Sequence, residues 1–240
     1  MGDVNLYALD RTGRRRSLTD ACPGQVVVAE IDHTNDQALR RLVNLRRACP
    51  WAPMVIATRD DGPEHLTSVG VLARDVAARA VTLKLDAEWP DIVRRLSGCE
   101  GLDKHLGRWM TIQRPNVRHL TIKRIEALVA CGMNGGQVND VATDFDITPR
   151  DLEDTFHRAQ LPRPSRYIRF GRLMPGLSVL ALKPATRLID AADAAGYSTG
   201  SAFIRTLTRD LGVHAAEGRA RIGFEWVAHA MQLYRRLESQ

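Results

Sequence analysis

Two regions of different fold class are predicted for this 240-residue chain: an α/β domain with a parallel sheet over 1–99 and an all-α domain over 117–240, joined by a linker at 100–116. Three observations carry the prediction. Up to Gly98, short β-type runs alternate with helical ones. From Val117 onward no convincing strand pattern occurs. The second region also repeats itself weakly at a spacing of about fifty residues, as two helix-turn-helix units.

The elements follow in order. VNLYAL from Val4 and VVVAEI from Val26 read as strands, and DQALRRLVNLRRA from Asp36 reads as a helix with Leu39, Leu42, Val43 and Leu45 on one stripe. PMVIAT from Pro53 has strand length, HLTSVGVLARDVA from His65 reads as a helix, AVTLKL from Ala80 as a strand and EWPDIVRRL from Glu88 as a helix. Alternation of this kind, with near-continuous apolar strands, implies a parallel sheet covered on both faces. Helices are then predicted at 119–131, 136–145, 149–160, 164–173, 177–182, 186–195, 200–211 and from about 220 to 237. The last carries Phe224, Val227, Ala228, Met231, Tyr234 and Leu237 on one stripe, which packs on the all-α domain or serves dimerisation.

The formal charge is +6, and it is uneven: from position 111 there are 18 Lys and Arg against 13 Asp and Glu, whereas the first 110 residues hold 16 and 15. A basic half beside a neutral one suggests that one half meets a polyanion. Cys22, Cys49, Cys99 and Cys131 lack metal-ligand spacing, and the seven histidines are scattered, so no metal and no cofactor is expected. No signal peptide opens the chain and no apolar run approaches the roughly 20 residues that span a bilayer. A cytoplasmic protein is the expectation. No nucleophile-elbow pattern or phosphate-binding loop occurs, which argues against an enzyme.

The two repeat copies run QVNDVATDFDITPRDLEDTFHRA from Gln137 and RLIDAADAAGYSTGSAFIRTLTRDLGV from Arg187. Ala142 and Ala192 stand where a small residue lets two helices cross. Leu152 pairs with Phe203, and Phe156 with Leu207, as inward residues of the second helices. The extra residue of the second copy falls around Gly196 and Tyr197. Thr148 caps the first recognition helix with Pro149 at its first position, and Thr199 caps the second. Between the copies, Arg158, Arg163, Arg166, Arg169 and Arg172 lie in a window without Asp or Glu. Such a row suits phosphate contacts, and a solvated or ion-paired face is the alternative.

From about His119 to Arg236 the chain resembles the DNA-binding domain of AraC/XylS-type transcription regulators. TPRDLEDTFHRAQLPRPSRYIRFGRL, and RYIRFGRL above all, resembles the first recognition helix and the start of the linking helix; IDAADAAGYSTGSAFIRTLTRDLGVHAAEGR resembles the second unit. The resemblance implies double-stranded DNA as partner, with both recognition helices in successive major-groove segments about 34 Å apart. It implies Arg150, Glu153 and Asp154 as the outward face of the first reader. Ser201, Ile204 and Arg205 are that face of the second, with Arg205 suited to a guanine edge and Ile204 to a thymine methyl. The chain departs from the family's pattern at Asp154, Gly200, Ala215 and Gly218. These departures imply an unusual or modest affinity. A homodimer and RNA polymerase are further partners the resemblance suggests.

Residues from Val4 to about Ser97 resemble a shortened, degenerate response-regulator receiver, a flavodoxin-like fold. Glu30 ends VVVAEI where a receiver has its phosphoacceptor, Thr58 ends PMVIAT where it has its switch hydroxyl, and Lys84 falls where it has its phosphate-binding lysine. The acidic pair that holds Mg²⁺ is missing, with Asp10 the only carboxylate after the first strand. The implied domain is a pseudo-receiver for regulation or dimerisation, with Glu30 paired to Lys84. Ordinary strand-end polar residues are the alternative. Arg14, Arg15 and Arg16 read as a solvated loop. A non-catalytic adaptor of the transcription machinery, its DNA reading weak or lost, is the other function the acidic Asp151, Glu153 and Asp154 allow.

Overall fold

The computed structural model describes residues 4–18 and 25–235. The chain divides into two compact units. One takes the chain up to Gly98 together with Ala220–Trp226; the other takes Cys99–Arg219 and the chain from Val227 on.

The first unit is built on a five-stranded sheet of β1 (Val4–Leu9), β2 (Arg15–Arg16), β3 (Val26–Ile31), β4 (Met54–Ala57) and β5 (Ala80–Thr82), in the order β2-β1-β3-β4-β5. The sheet is mixed, which corrects the expectation of a parallel one. β3, β4 and β5 are parallel, because α1 (Asp36–Ala48) and α2 (Pro63–Asp75) supply crossovers. β1 runs antiparallel to both β2 and β3. The reason lies in the connection: after β1 the chain turns back at once through a tight hairpin. The Asp10 carboxylate accepts from the Thr12 and Arg14 amides, and Gly13 takes a φ of 83°. Among the described residues between β1 and β3 there is no crossover helix. Arg15 and Arg16 therefore form an edge strand, not a loop.

The period-two pattern of the strands sorts the core onto two faces. Val27, Ala29, Ile31, Met54 and Ile56 pack under Leu42 and Leu45 of α1 and Val69, Leu72 and Ala73 of α2. Val26, Val28, Val55 and Ala80 face Trp89, Ile92 and Leu96 of α3 (Leu85–Ser97), and Ile222 joins them. Ile222 belongs to the inserted segment Ala220–Trp226, which a buried ion pair holds. Arg46 of α1 and Glu225 are 1% and 0% exposed, with Nη2 to Oε1 at 3.3 Å. Arg46 also donates to the carbonyls of Ala52 and Ala77. Arg79 lies over the Phe224 ring at 5.1 Å.

The second unit is helical: α4 (Leu102–Gln113), α5 (His119–Met133), α6 (Val138–Asp144), α7 (Pro149–Arg158), α8 (Pro164–Leu182), α9 (Leu188–Ala194), α10 (Gly200–Leu211) and α11 (Ala215–Ala220), whose last residue passes into the first unit. The segment read as a linker at 100–116 is the helix α4, with Leu102, Leu106, Trp109 and Met110 wholly buried. The helices expected at 164–173 and 177–182 are the single helix α8. Pro175 lies inside it; its ring removes one hydrogen bond without ending the helix. α5 and α8 meet at glycines: a Cβ on Gly132 would overlap the Ile168 carbonyl, and one on Gly171 the Val129 carbonyl. One turn on, Gly176 brings α8 against α9 and α10, where a Cβ would meet the Phe203 ring at 2.8 Å.

The long final helix expected from about 220 to 237 is also corrected. α12 spans only Glu225–Ala230, and Phe224 belongs to the α/β unit rather than to a stripe on the helical one. Leu237 and Cys22 lie outside the described residues. In the helical unit, Trp109 meets the Tyr234 ring edge-on at 5.2 Å. The Tyr167 hydroxyl donates to the Leu233 carbonyl at 2.6 Å.

Candidate nucleic-acid interface

The two repeat copies have the same local build. Ala142 and Ala192 are 1% and 0% exposed, so the close crossing predicted for small residues is present in both. Each first helix ends in a left-handed residue, Asp146 with φ 52° and Gly196 with φ 70°. The next amide then reaches back across the end of the helix: Ile147 donates to the Ala142 carbonyl at 3.0 Å and Tyr197 to the Ala192 carbonyl at 2.9 Å. This is a Schellman-type stop. These pairs keep the fifty-residue spacing, whereas the caps Thr148 and Thr199 are one further apart. The extra residue is thus placed at Ser198, just after the expected turn positions.

The second helices are held by two apolar anchors each. Leu152 and Phe156 of α7, and Phe203 and Leu207 of α10, are all 0% exposed. Their starts are capped. Thr148 Oγ1 accepts from the Asp151 amide at 3.1 Å, and Asp151 Oδ2 accepts from the Thr148 amide at 3.2 Å. Hydrogen bonding to Thr148 holds the Asp151 carboxyl below its usual range, so this acid serves the helix start. Thr199 Oγ1 accepts from the Ala202 amide at 3.1 Å. Replacing Thr199 by Ala is expected to cost about 0.5–2 kcal/mol of stability, measured as a shift of the urea midpoint.

With the inner face fixed, the outer face is set by helical geometry. Arg150, Glu153, Asp154 and Arg158 are exposed on α7; Ser201 and Arg205 are exposed on α10, with Ile204 half-buried beside them. Among the described residues, Arg150, Arg163 and Arg205 make no side-chain hydrogen bond or ion pair. Exposed arginines of this kind match the donor pattern of guanine edges and phosphates.

The linking row behaves differently from the expected phosphate row. Arg166 donates to the Met231 carbonyl at 3.1 Å, and Arg169 pairs with Asp210 at 3.2 Å. Arg172 donates to the Gly135 and Gly136 carbonyls at 3.2 and 3.3 Å. Their i, i+3, i+6 spacing aims them at elements packed around α8, so they tie the bundle together. Two arginines that the sequence reading did not single out, Arg118 and Arg124, join Arg158 near α7. Arg118, Arg124 and Arg158 line a cleft of about 430 Å³ with Asn116, Thr121 and Thr155. Arg118 and Arg124 fall outside both repeat copies, so the repeat gave no signal for them.

In the α/β unit, Glu30 and Thr58 line one cavity of about 350 Å³ at the carboxyl edge of the parallel strands, together with Arg15, Asp32, Arg59 and Asp86. Lys84 is exposed at the start of α3 and is not among the lining residues. The Glu30–Lys84 pair is corrected: Glu30 accepts from Tyr7 Oη at 2.7 Å, Asn5 Nδ2 at 3.0 Å and Arg15 at 3.1 Å. Burial opposes ionisation of Glu30, but bonds from Tyr7 and Asn5 and the charge of Arg15 outweigh it, so its carboxyl titrates low. Asp10 lies at the other edge, because Leu9 pairs with Val26 while Val4 pairs with Ile31. Thr58 Oγ1 contacts His65 Nε2 at 2.8 Å, but His65 Nδ1 stands 3.8 Å from the Asp60 carboxylate. That is too long for the hydrogen bond that orients a catalytic histidine.

No family model, no curated protein and no solved structure matches this chain. Among the described residues no helix is long and apolar enough to cross a membrane.

Proposed function

We propose that the chain is a sequence-specific DNA-binding transcription regulator of the AraC/XylS type, in which α7 and α10 each enter a major groove. The observation that carries this reading is the doubled unit: two helix-turn-helix copies with the same stop and the same buried anchors, each presenting an exposed second helix with unpaired arginine. Arg205, Ser201 and Ile204 read bases from α10. Arg150 docks α7, and Glu153 and Asp154 accept from cytosine amino groups there. Arg158 and Arg163 take phosphates. Arg166 and Arg169 contribute chiefly by holding α8 and its neighbours in place. The α/β unit, a receiver-like module without phosphoryl chemistry, serves regulation or dimerisation.

Selection of genomic duplexes by the purified protein, followed by sequencing, tests the reading; an enriched motif is the expected result. Binding to that motif is expected to fall roughly 100-fold between about 50 and 200 mM salt if about four phosphates are contacted. Arg205→Ala is expected to relax preference at one base pair by about 1–3 kcal/mol. Absence of any enriched motif, with binding insensitive to salt, rejects the regulator. The acidic pair Glu153 and Asp154 on the exposed face of α7 favours the second reading, a non-catalytic adaptor of the transcription machinery. In that case a protein partner is retained and duplex binding is lost.

A further inference from the structure

We propose that the cleft between the start of α5 and the end of α7 is a binding site for a phosphate-class oxyanion. This goes beyond base reading by the two recognition helices, since the cleft lies outside the reading residues of both. Three arginines from separate parts of the chain line it: Arg118 ahead of α5, Arg124 within α5 and Arg158 at the end of α7. The other lining residues are Asn116, Val117, Leu120, Thr121, Thr155 and Ala159, and none carries a carboxylate.

Like charges gathered in a concave site raise its potential and concentrate anions. Each arginine has donors to spare. Arg124 gives one long bond, 3.3 Å, to Thr155 Oγ1, and its Nε is buried with no acceptor. A buried donor without an acceptor carries a cost that an added oxygen removes. The Arg124 guanidinium carbon lies over the Phe145 ring, 5.6 Å from its centroid. Arg158 uses Nε on the Asp154 carbonyl at 3.2 Å, which leaves both terminal nitrogens. Arg118 is exposed and, among the described residues, makes no side-chain hydrogen bond or ion pair. Planar guanidinium forks match the oxygens of a phosphate better than those of a spherical anion such as chloride. A volume of about 430 Å³ admits a phosphate with a second phosphate or a sugar attached.

Two sources supply that chemistry: a backbone phosphate of duplex DNA, or a free phosphorylated small molecule. Calorimetric titration of the full-length protein with sodium pyrophosphate, at constant ionic strength set with sodium chloride, tests the site. The expected result is saturable one-to-one binding, weakened at least tenfold in the Arg118→Gln/Arg158→Gln variant and unchanged in Arg41→Gln, an exposed arginine of α1 outside the cleft. Both substituted arginines are exposed, so the fold survives their loss, and a retained urea midpoint checks it. No saturable binding, or equal affinity in the two variants, overturns the proposal.

A second arm identifies the source. If DNA supplies the phosphate, pyrophosphate competes with duplex, and Arg118→Gln lowers the salt slope of DNA binding by about one. If a free ligand does, pyrophosphate binds without competing and the slope stays. Either outcome upholds the site. Failure of the protein to bind any duplex removes the regulator reading and leaves the pyrophosphate result to decide the cleft.

Discussion

Glu225→Ala is expected to lower the free energy of unfolding by about 3–5 kcal/mol, read from urea denaturation by circular dichroism. The carboxylate is wholly buried and faces the buried guanidinium of Arg46 at 3.3 Å. Removing it leaves a cation stranded in the interior. Burial already pushes the Arg46 pKa down, and Glu225 is the main group opposing that push. The Phe224 amide, which donates to Glu225 Oε2 at 3.1 Å, loses its acceptor as well. Arg46→Met/Glu225→Leu is expected to cost less than Glu225→Ala alone, because it removes both desolvated charges together. Equal or additive losses would contradict a coupled buried pair. The same geometry bears on truncation. A fragment ending at Gly98 lacks Ile222, Phe224 and Glu225, so it removes Ile222 from the core cluster it shares with Trp89, Ile92 and Leu96 and takes the carboxylate away from Arg46.

That dependence was not legible in the sequence, and the reason is physical. Arg46 stands in RRA beside Arg47, at the basic end of an amphipathic helix, where a solvated pair is the usual reading. Its partner is 179 residues away, and nothing local distinguishes Glu225 from a surface acid. Strand direction was hidden for a similar reason. VNLYAL has one apolar pattern whichever way it runs, and only the hairpin at Asp10 and Gly13 turns it antiparallel. The helix α4, by contrast, carries a local signal: Leu102, Leu106, Trp109 and Met110 follow helical spacing, but the mixed composition of the stretch and its end at Pro115 read as a linker.

The paired helix-turn-helix units were readable because their determinants are local. A small residue at a crossing, a left-handed stop, a threonine cap and two apolar anchors each act within one or two turns. The outward-face residues came from the family resemblance, and Arg150, Glu153, Asp154, Ser201 and Arg205 are exposed. The arginine row on α8 was misjudged because its acceptors are not local. The Met231 carbonyl and Asp210 lie 65 and 41 residues away from Arg166 and Arg169.

Gly171→Val is the substitution expected to damage the helical unit most. The added Cβ overlaps the Val129 carbonyl and comes within 3.1 Å of the Met133 amide. These are backbone atoms inside α5 and cannot rotate aside as a flexible side chain would. Overpacking a core by side-chain contact costs about 1–3 kcal/mol. Two helix backbones forced apart along their crossing exceed that range, so a loss above about 3 kcal/mol is expected, read as a fall in the urea midpoint. Gly132→Val meets the Ile168 carbonyl at the same crossing. Once either variant has parted the helices the other adds little, so the double variant is expected to fall short of the sum. Gly70→Val is the comparison: a Cβ there meets nothing within 4 Å, and the stability should stay within about 1 kcal/mol. On the proposed function DNA binding should follow the same order, because α8 supports α10: Phe203 closes on Gly176, five residues beyond Gly171 on that helix. A Gly171→Val protein with native stability would mean that α5 and α8 do not touch, and the placement of α10 on α8 would then lack its support.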